Sequence, residues 1–193
     1  MNDPIALFSH WLAEAKAHPA ITEPTAMTLA TATPTGTPSA RIILLKDFDK
    51  DGFVFFTNYE GRKSIELKTN PAAALSFYWM PLERQVRIEG AAEKISAAES
   101  DAYFATRERG RQIGAWASLQ SQTLDSRETL EARIRALEAE YEGKNVPRPP
   151  HWGGWRLVPH SIEFWHQGRY RLHDRYVFTR EHDADWVKTY LYP

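Results

Sequence analysis

The sequence predicts a single domain of the α+β class that is mainly β. Six to eight short runs rich in β-branched and aromatic residues recur along the chain, and turn-forming residues bound them. Helical patterns are inserted between these runs, but strand and helix do not alternate as they do in a doubly wound parallel sheet. A chain of 193 residues can bury a sizeable core and suits one domain over residues 1–193. We therefore expect an α+β or barrel-like domain with helices inserted between the strands.

In the first half of the chain, turn signals separate strand-like runs. Asp3 and Pro4 begin a helix over about residues 4–18, because Pro is favoured in the first helical turn and apolar residues then recur at helical spacing. A short helix over residues 61–68 ends before Asn70-Pro71, since the residue before a proline disfavours helix. Strands are predicted over residues 26–33, 39–46, 53–57, 72–79 and 84–94.

In the second half, helices precede a C-terminal group of strands. Ser96 and Glu99 form a capping-box pattern at the start of one helix, and Ser126 begins a longer helix. The apolar stripe of the longer helix, which we expect to be buried, consists of Leu130, Ile134, Leu137 and Tyr141. Residues 146–154 are too rich in Pro and Gly for regular structure, and a basic segment of three strands follows over about residues 161–193.

A basic heptapeptide, Arg169-Tyr-Arg-Leu-His-Asp-Arg175, lies in this C-terminal segment. If it is extended, alternate side chains project to one face, which then carries Arg169, Arg171, His173 and Arg175. Such a face is costly unless an anion lies against it. We expect that anion to be a phosphate, because a second basic and strand-like segment, Arg41 to Lys46, needs the same explanation.

Composition excludes several classes of function. The net charge of -1 does not suggest a nucleic-acid-binding protein. There are no cysteines, and none of the seven histidines forms a pair with metal-ligand spacing, so we expect no metal site. The chain lacks a glycine-rich nucleotide-binding loop and a nucleophile elbow. It also shows no signal peptide and no apolar run that could span a membrane, and we therefore expect a cytoplasmic location and no membrane partner.

The remaining candidates are cationic and amide-bearing side chains near strand ends. Arg62 and Lys63 begin the short predicted helix, and a helix N-terminus with two cations is a good phosphate site. Gln85, Gln120 and Ser121 could hydrogen-bond the edge of a heteroaromatic ring, which Trp165 could cover. Each feature alone also fits an ordinary solvated helix turn or loop.

Taken in order, these segments resemble the family of pyridoxine/pyridoxamine 5'-phosphate oxidases. The resemblance is carried by residues 41–46, 53–59, 62–63, 84–90, 99–104, 112–118, 120–121, 152–154 and 171–175. It implies an FMN-binding split β-barrel with flanking helices that works as a homodimer, with FMN at the subunit interface. The implied reaction oxidises pyridoxine 5'-phosphate and pyridoxamine 5'-phosphate to pyridoxal 5'-phosphate, with O2 as acceptor and release of H2O2.

The resemblance also implies roles for individual residues. The implied FMN contacts are Arg41, Ile42, Ile43, Leu44, Phe56, Thr57, Arg62, Lys63, Gln85, Gln120, Ser121, Trp165 and Arg175. The implied contacts with the substrate phosphate are Lys46, Tyr103 and Arg107. Arg171 and His173 match the catalytic pair that also binds substrate over the pyridine ring.

Several positions depart from the family's pattern. Arg111 and Gly61 stand where serines are usual, Glu108 replaces a frequent proline, and His166-Gln167 slightly reshapes the turn usual after Trp165. These departures bear on substrate identity more than on FMN binding. Two alternatives stay open: a related split-barrel FMN oxidase acting on another heterocycle, such as a phenazine-type precursor, and a non-catalytic module that binds flavin or pyridoxal phosphate.

Overall fold

The computed structural model describes residues 3–181 and 184–193, so residues 182–183 of the C-terminal segment lie outside it. Its strands are β1 (Ala26–Ala32), β2 (Pro38–Leu44), β3 (Asp47–Asp49), β4 (Gly52–Asn58), β5 (Ala72–Trp79), β6 (Arg84–Lys94), β7 (Trp152–His166), β8 (Asp174–Thr179) and β9 (Val187–Leu191). Its α-helices are α1 (Pro4–Ala17), α2 (Arg62–Thr69), α3 (Ala97–Ala105), α4 (Arg109–Ala117) and α5 (Arg127–Glu140). None of the described helices is long and apolar enough to cross a membrane.

The strands form one antiparallel sheet that curls into a barrel. Its order is β2-β1-β5-β6-β7-β4-β3, and β8 and β9 extend it from β7. The two ends of this path, β2 and β3, are separated in the chain only by Leu45 and Lys46. There the backbone N–H of Lys46 donates to the carbonyl of Val54 on β4 at 2.9 Å. The expected barrel-like, mainly β fold is confirmed.

The long strand β7 joins two parts of the molecule. Its first half pairs with β4, from Trp152 opposite Asn58 to Leu157 opposite Phe53. Its second half, from Ser161 onward, pairs with β8 instead. On its other side it pairs with β6 from Trp155 to His166, with a shift of register between Glu89 and Gly90. Such an irregularity bends a strand pair, so β7 changes partners at a bend.

Helix α1 fills the barrel core. Asp3 caps it by accepting a hydrogen bond from the N–H of Ile5, and the observed bounds agree with the predicted helix to within one residue. The ring of Phe8 makes edge contacts with Phe53 and Phe77 at 5.0 and 5.1 Å. Trp11 packs edge-on against Phe164 at 5.1 Å. These aromatic contacts explain why the apolar residues of the helix recur at helical spacing.

A second, smaller core cluster lies beneath α3, α4 and α5. Phe104, Ile113, Val146 and Trp152 are buried in it.

Two expectations for this region were wrong or incomplete. The stripe at Leu130, Ile134, Leu137 and Tyr141 is only half-buried, since α5 has no buried residue and packs at the edge of the small cluster. Helix α4 was not predicted. Strand β7 begins at Trp152, inside the loop expected over residues 146–154, because its pairing with β4 extends to that residue.

The basic heptapeptide is not an extended strand along its length. Arg169 to Arg171 form a turn of 3-10 type, and strand β8 begins only at Asp174. Tyr170 and Arg171 have positive φ angles of 58° and 66°. The alternation that would put Arg169, Arg171, His173 and Arg175 on one face is therefore wrong. A Cβ on Gly168 would lie 1.8 Å from the carbonyl oxygen of Leu172, so this tight turn requires glycine there.

Candidate active site

A cavity of about 720 Å³ opens between the barrel and helices α3 and α4. Strands β2 and β4 and the first turn of α2 form one wall, and residues of α3 and α4 form the other. The cavity is lined by many of the predicted site residues: Arg41, Ile42, Ile43, Leu44, Lys46, Phe56, Thr57, Lys63, Tyr103, Arg107 and Gln120. Segments that are far apart in the sequence thus line one cavity of one chain.

One end of the cavity carries a group of cations around Glu66, a buried carboxylate on α2. Arg41 donates to Thr31 Oγ1 at 2.6 Å and also to Ser39. Its guanidinium lies 3.5 Å from Glu66 Oε2, and Arg62 Nε donates to Glu66 Oε1 at 2.9 Å. Three structural elements, β1, β2 and α2, are tied together by these bonds.

Lys63 extends this group toward the loop that follows α4. Its ammonium donates to Thr57 Oγ1 at 3.0 Å and to Gln120 Oε1 at 2.6 Å. Burial and the nearby charge of Arg41 lower the pKa of Lys63. Ser121 accepts a hydrogen bond from the N–H of Arg62 at 3.2 Å. Gln120 and Ser121 therefore both adjoin the cationic end of the cavity. Gln120 lines the cavity, whereas Ser121 and Arg62 do not.

The other end of the cavity combines an aromatic wall with a second group of cations. Tyr103 stacks on Phe56, with ring centroids 3.8 Å apart, and Trp152 continues the stack at 5.4 Å from Phe56. The guanidinium of Arg107 lies over Trp152 at 4.6 Å. Its buried Nη1 has no hydrogen-bond partner among the described residues. Burial lowers the pKa of Arg107, which indicates a cation that lacks a full complement of anionic neighbours.

Arg111 and Glu108 lie at the same end of the cavity. They are two of the positions that depart from the family's pattern, and they pair with each other at 3.2 Å on the exposed first turn of α4. The charge of Arg111 also contributes to lowering the pKa of Arg107. Arg111 therefore adds positive potential beside Arg107, and Glu108 offsets part of it.

The remaining predicted residues form a second cluster, which does not line the cavity. Gln85 lies opposite Trp165 in the β6–β7 ladder, and Trp165 lies opposite Arg175 in the β7–β8 ladder. The rings of Trp165 and His173 are 4.6 Å apart. The N–H of Gly168 donates to His173 Nδ1 at 3.3 Å, which holds the imidazole against the turn that carries Arg171.

A second buried carboxylate, Glu163, organises this cluster. Its two oxygens accept from Arg175 Nε at 2.9 Å and from Arg87 Nη2 at 2.6 Å. Arg175 also donates to the carbonyl of Tyr192 at 3.0 Å, which ties the C-terminal residues to β8. Like the cations around Glu66, these guanidiniums are held by a carboxylate that is 5% exposed.

The two clusters lie near opposite ends of β7. Trp152 at the start of the strand belongs to the cavity, whereas Trp165 near its end belongs to the second cluster. At ~3.3 Å per residue, these tryptophans are about 40 Å apart along the path of the strand. None of Gln85, Trp165, Arg171, His173 and Arg175 lines the cavity of the same chain.

Glu66, Glu163 and Trp152 were missed as site residues by the sequence reasoning. For Glu66 a signal was available: it lies four residues after Arg62 on the predicted short helix, the spacing at which a carboxylate and an arginine meet. For Glu163 there was none, because a polar residue between Ile162 and Phe164 reads as an ordinary solvent-facing strand position.

The ionisation of Glu66 leads to a prediction about acid stability. Burial alone would raise the pKa of Glu66, but hydrogen bonds from Ser39, Thr31 and Arg62, with the charge of Arg62, lower it from 4.5 to about 2. The charged carboxylate therefore stabilises the fold above pH ~4.5, and this contribution is lost as the pH falls toward 2. We expect it to be on the order of 3 kcal/mol.

The measurement is urea unfolding of the flavin-free chain between pH 6 and 2. The free energy of unfolding of Glu66→Gln should be lower than that of the wild type at pH 6 and should converge on it at low pH. Glu138→Gln is the control, because Glu138 is exposed on α5. A constant difference between wild type and Glu66→Gln over this range would contradict the assignment.

Comparison with known protein families places this geometry in context. The family model described as pyridoxamine 5'-phosphate oxidase matches residues 13–141. The model described as the pyridoxine 5'-phosphate oxidase C-terminal dimerisation region matches residues 152–193. The first match includes the cavity residues up to Gln120, and the second includes Trp165, Arg171, His173 and Arg175.

Individual proteins are similar over nearly the whole chain. A pyridoxine/pyridoxamine 5'-phosphate oxidase of Myxococcus xanthus is 56% identical over 191 residues, covering 99% of this chain and 92% of that protein. One of Burkholderia orbicola is 58% identical over 193 residues, covering 99% and 89%.

Two solved structures share the fold. PhzG from Burkholderia lata 383, in complex with tetrahydrophenazine-1-carboxylic acid, has a TM-score of 0.93 at 37% identity, covering 100% of this chain and 94% of that chain. An FMN-binding protein from Nostoc punctiforme, related to pyridoxamine 5'-phosphate oxidase, has a TM-score of 0.77 at 16% identity, covering 97% and 96%. The expected split β-barrel with flanking helices is confirmed.

Proposed function

The chain belongs to the pyridoxine/pyridoxamine 5'-phosphate oxidase family, and on that basis we propose that it oxidises pyridoxine 5'-phosphate and pyridoxamine 5'-phosphate to pyridoxal 5'-phosphate. It is an enzyme of this family and an oxidoreductase. The finer proposal is that FMN is its cofactor, that O2 is the electron acceptor and that H2O2 is released.

One observation carries the proposal: a single cavity has two separate groups of cations. Arg41 and Lys63 line it beside Glu66, Arg107 lines it over Trp152, and Lys46, between β2 and β3, supplies a further cation. A flavin mononucleotide and a phosphorylated substrate each bring a phosphate, so a cavity that binds both needs two such groups. The aromatic side chains of Phe56 and Trp152 in the same cavity suit planar rings.

The residues at the Glu66 end fit the FMN phosphate. Arg41, Arg62 and Lys63 supply positive charge, and the N-terminus of α2 adds its dipole. The strand residues Ile42 to Leu44 and the side chain of Thr57 would lie along the flavin. Bound there, FMN would supply the two-electron oxidation and the reaction with O2.

The residues at the aromatic end fit the substrate. Lys46 and Arg107 would neutralise its phosphate, and the buried Nη1 of Arg107 would gain the partner that it lacks. Tyr103 would donate a hydrogen bond to the same phosphate. Because Tyr103 is stacked on Phe56, its hydroxyl is held in a defined position before substrate arrives.

The second cluster would complete the site of the other subunit. It lies in the segment that matches the family's dimerisation region, far along β7 from the cavity of its own chain. In a homodimer, Gln85, Trp165 and Arg175 of one chain would meet the flavin held by its partner. Arg171 would orient the substrate and stabilise developing negative charge, and His173 would accept or relay the proton that the substrate loses.

The experiment that tests the proposal is aerobic turnover of pyridoxine 5'-phosphate and pyridoxamine 5'-phosphate by FMN-loaded protein. Aldehyde product and H2O2 are followed together, and the proposal requires equal amounts of both. Bound FMN with no turnover of either substrate would instead favour the flavin-binding module without catalysis.

A second candidate is oxidation of a phenazine-type precursor. It is favoured by the similarity to PhzG, whose structure contains tetrahydrophenazine-1-carboxylic acid. That ligand carries one carboxylate, whereas this cavity is lined, apart from the cations near Glu66, by Lys46, Arg107 and Arg111, with Glu108 as the opposing charge. Several cations suit a phosphate dianion better than a carboxylate monoanion. Turnover of the tetrahydrophenazine compound in the same assay, without turnover of the phosphorylated pyridines, would reverse this preference.

Lys46→Ala is expected to weaken substrate capture more than turnover. We expect KM for pyridoxine 5'-phosphate to rise about 10- to 100-fold, the range for losing a hydrogen bond between charged groups, with kcat changed much less. The measurement is steady-state kinetics over a wide range of substrate concentration. Lys50→Ala is the control, since Lys50 pairs with Asp51 on the exposed turn between β3 and β4 and lies outside the cavity. An unchanged KM in Lys46→Ala would contradict the proposed phosphate pocket.

A further inference from the structure

Glu66 lies at the centre of the cations that would hold the FMN phosphate, although its own charge is negative. The proposed function gives it no role. It is 5% exposed, and it accepts from the Thr31 hydroxyl, from Ser39 at 2.5 Å and from Arg62 at 2.9 Å. A carboxylate is costly to bury unless it is paired and hydrogen-bonded, and here every bond comes from a residue next to the phosphate end of the cavity.

The two hydroxyls connect Glu66 to Arg41. Thr31 and Ser39 each donate to Glu66 Oε2, and each accepts a hydrogen bond from the guanidinium of Arg41. A hydroxyl has one proton and two acceptor lone pairs. Because both protons are committed to the carboxylate, the lone pairs face Arg41. Glu66 therefore fixes the orientation of the hydroxyls, and the hydroxyls fix the guanidinium.

The same carboxylate balances the charges of the group. Arg62 lowers the pKa of Arg41 through its charge, and Arg41 does the same to Lys63, although burial is the largest cause in both cases. The three cations therefore lie within reach of one another's charge. With Glu66 ionised, the group carries a net charge of +2, which matches a phosphate monoester that is close to a dianion.

We propose that Glu66 is a positioning residue that holds Arg41 and Arg62 in place for the flavin phosphate, and that it thereby makes the site selective for FMN over unphosphorylated riboflavin. This inference rests on the proposed function, because it assumes that the cavity binds flavin. It concerns the affinity for the phosphate, and turnover of the loaded enzyme does not enter its test.

Two effects of replacing Glu66 with glutamine oppose each other. Removing a negative charge near the phosphate strengthens the attraction between the phosphate and the remaining cations. Solvent at the cavity mouth screens this increase. Glutamine, however, places an amide donor where Thr31, Ser39 and Arg62 all donate, so one side of the network loses its acceptor. Arg41 and Arg62 then also repel each other without a shared counter-ion. The loss of orientation is the larger effect, because phosphate binding by arginine depends on fixed donor geometry.

The test compares the affinities of FMN and riboflavin for the full-length chain freed of flavin. Quenching of flavin fluorescence gives both dissociation constants. For Glu66→Gln we expect the preference for FMN over riboflavin to fall about tenfold, the effect of one or two lost hydrogen bonds to a charged group, while riboflavin affinity changes less than about twofold. Glu163→Gln is the matched control: Glu163 is also 5% exposed and holds two arginines, but in the other cluster. Its FMN preference should equal that of the wild type, even if both affinities fall.

The outcomes separate this inference from the proposed function. A wild-type chain that binds neither flavin, or binds both equally, overturns the proposed FMN site itself. A wild-type chain that prefers FMN, with the same or a greater preference in Glu66→Gln, overturns the role of Glu66 alone. If Glu66→Gln fails to fold, Thr31→Val decides the question, since it keeps the carboxylate and removes one hydroxyl between Glu66 and Arg41. The inference then requires a reduced FMN preference in Thr31→Val, and an unchanged one overturns it.

Discussion

A dimer assembled from one Arg171→Ala chain and one Lys46→Ala/Arg107→Ala chain is expected to recover about half of the wild-type turnover, although each parent variant is nearly inactive. In a symmetric dimer with shared sites, one site of this mixed dimer receives all three substitutions. The other site receives none of them. Recovery therefore depends on the two clusters of each site coming from different chains.

The physical reason is the length of β7. The cavity residue Trp152 and the second-cluster residue Trp165 are held in one continuous strand, so they cannot approach each other by a change of side-chain conformation. Arg171→Ala alone should lower kcat about 10²- to 10³-fold, the usual effect of removing a group that stabilises developing charge, while FMN stays bound. The measurement is turnover of mixed dimers purified through two different affinity tags.

Mixed dimers of Arg171→Ala and His173→Ala chains are the control for this experiment. Both substitutions lie in the second cluster, so each site of that dimer carries one of them and neither site is intact. Recovery in the control as well would mean that mixing itself raises activity, so that recovery in the first mixture would not report shared sites. No recovery in the first mixture would mean that each chain completes its own site, and the assignment of Arg171 to the partner's cavity would be wrong.

The sequence predicted most of the cavity because its residues lie on regular elements. Arg41 to Leu44 and Phe56 to Thr57 are on strands whose apolar and aromatic composition is plain, and Lys63 is in the first turn of a helix that has clear boundaries. Barrel closure brings such elements together independently of the conformations of the loops between them. The resemblance to a known family added the roles of these residues, which periodicity alone does not supply.

The sequence predictions that failed share one cause: they depended on contacts with residues that are not neighbours in the sequence. Tyr170 and Arg171 adopt positive φ angles, which non-glycine residues avoid, and only Gly168 hinted at a tight turn. Strain of this kind is found at functional sites, and it is consistent with the role proposed for Arg171 in the site of the partner subunit. Glu163 looked like a solvent-facing strand residue because its arginine partners, Arg87 and Arg175, come from two other strands.

Gly90→Ala is expected to lower the free energy of unfolding by about 4 kcal/mol or to prevent folding altogether. Gly90 lies at the register shift between β6 and β7. A Cβ there would be 2.1 Å from the carbonyl oxygen of Val158 and 3.0 Å from the Cα of Pro159. Both are backbone atoms of a paired strand, so they cannot move aside without breaking the ladder. The measurement is urea unfolding of the purified variant, or its soluble yield if it does not fold.

The matched control is Gly110→Ala, in the first turn of α4, where a Cβ would meet nothing within 4 Å. We expect this variant to be more stable than the wild type by up to about 1 kcal/mol, because alanine favours helix over glycine. A Gly90→Ala chain within about 1 kcal/mol of the wild type would show that β7 can absorb the extra atom. The bend that sends β7 from β4 to β8, and with it the separation of the two clusters, would then not depend on this close approach of the strands.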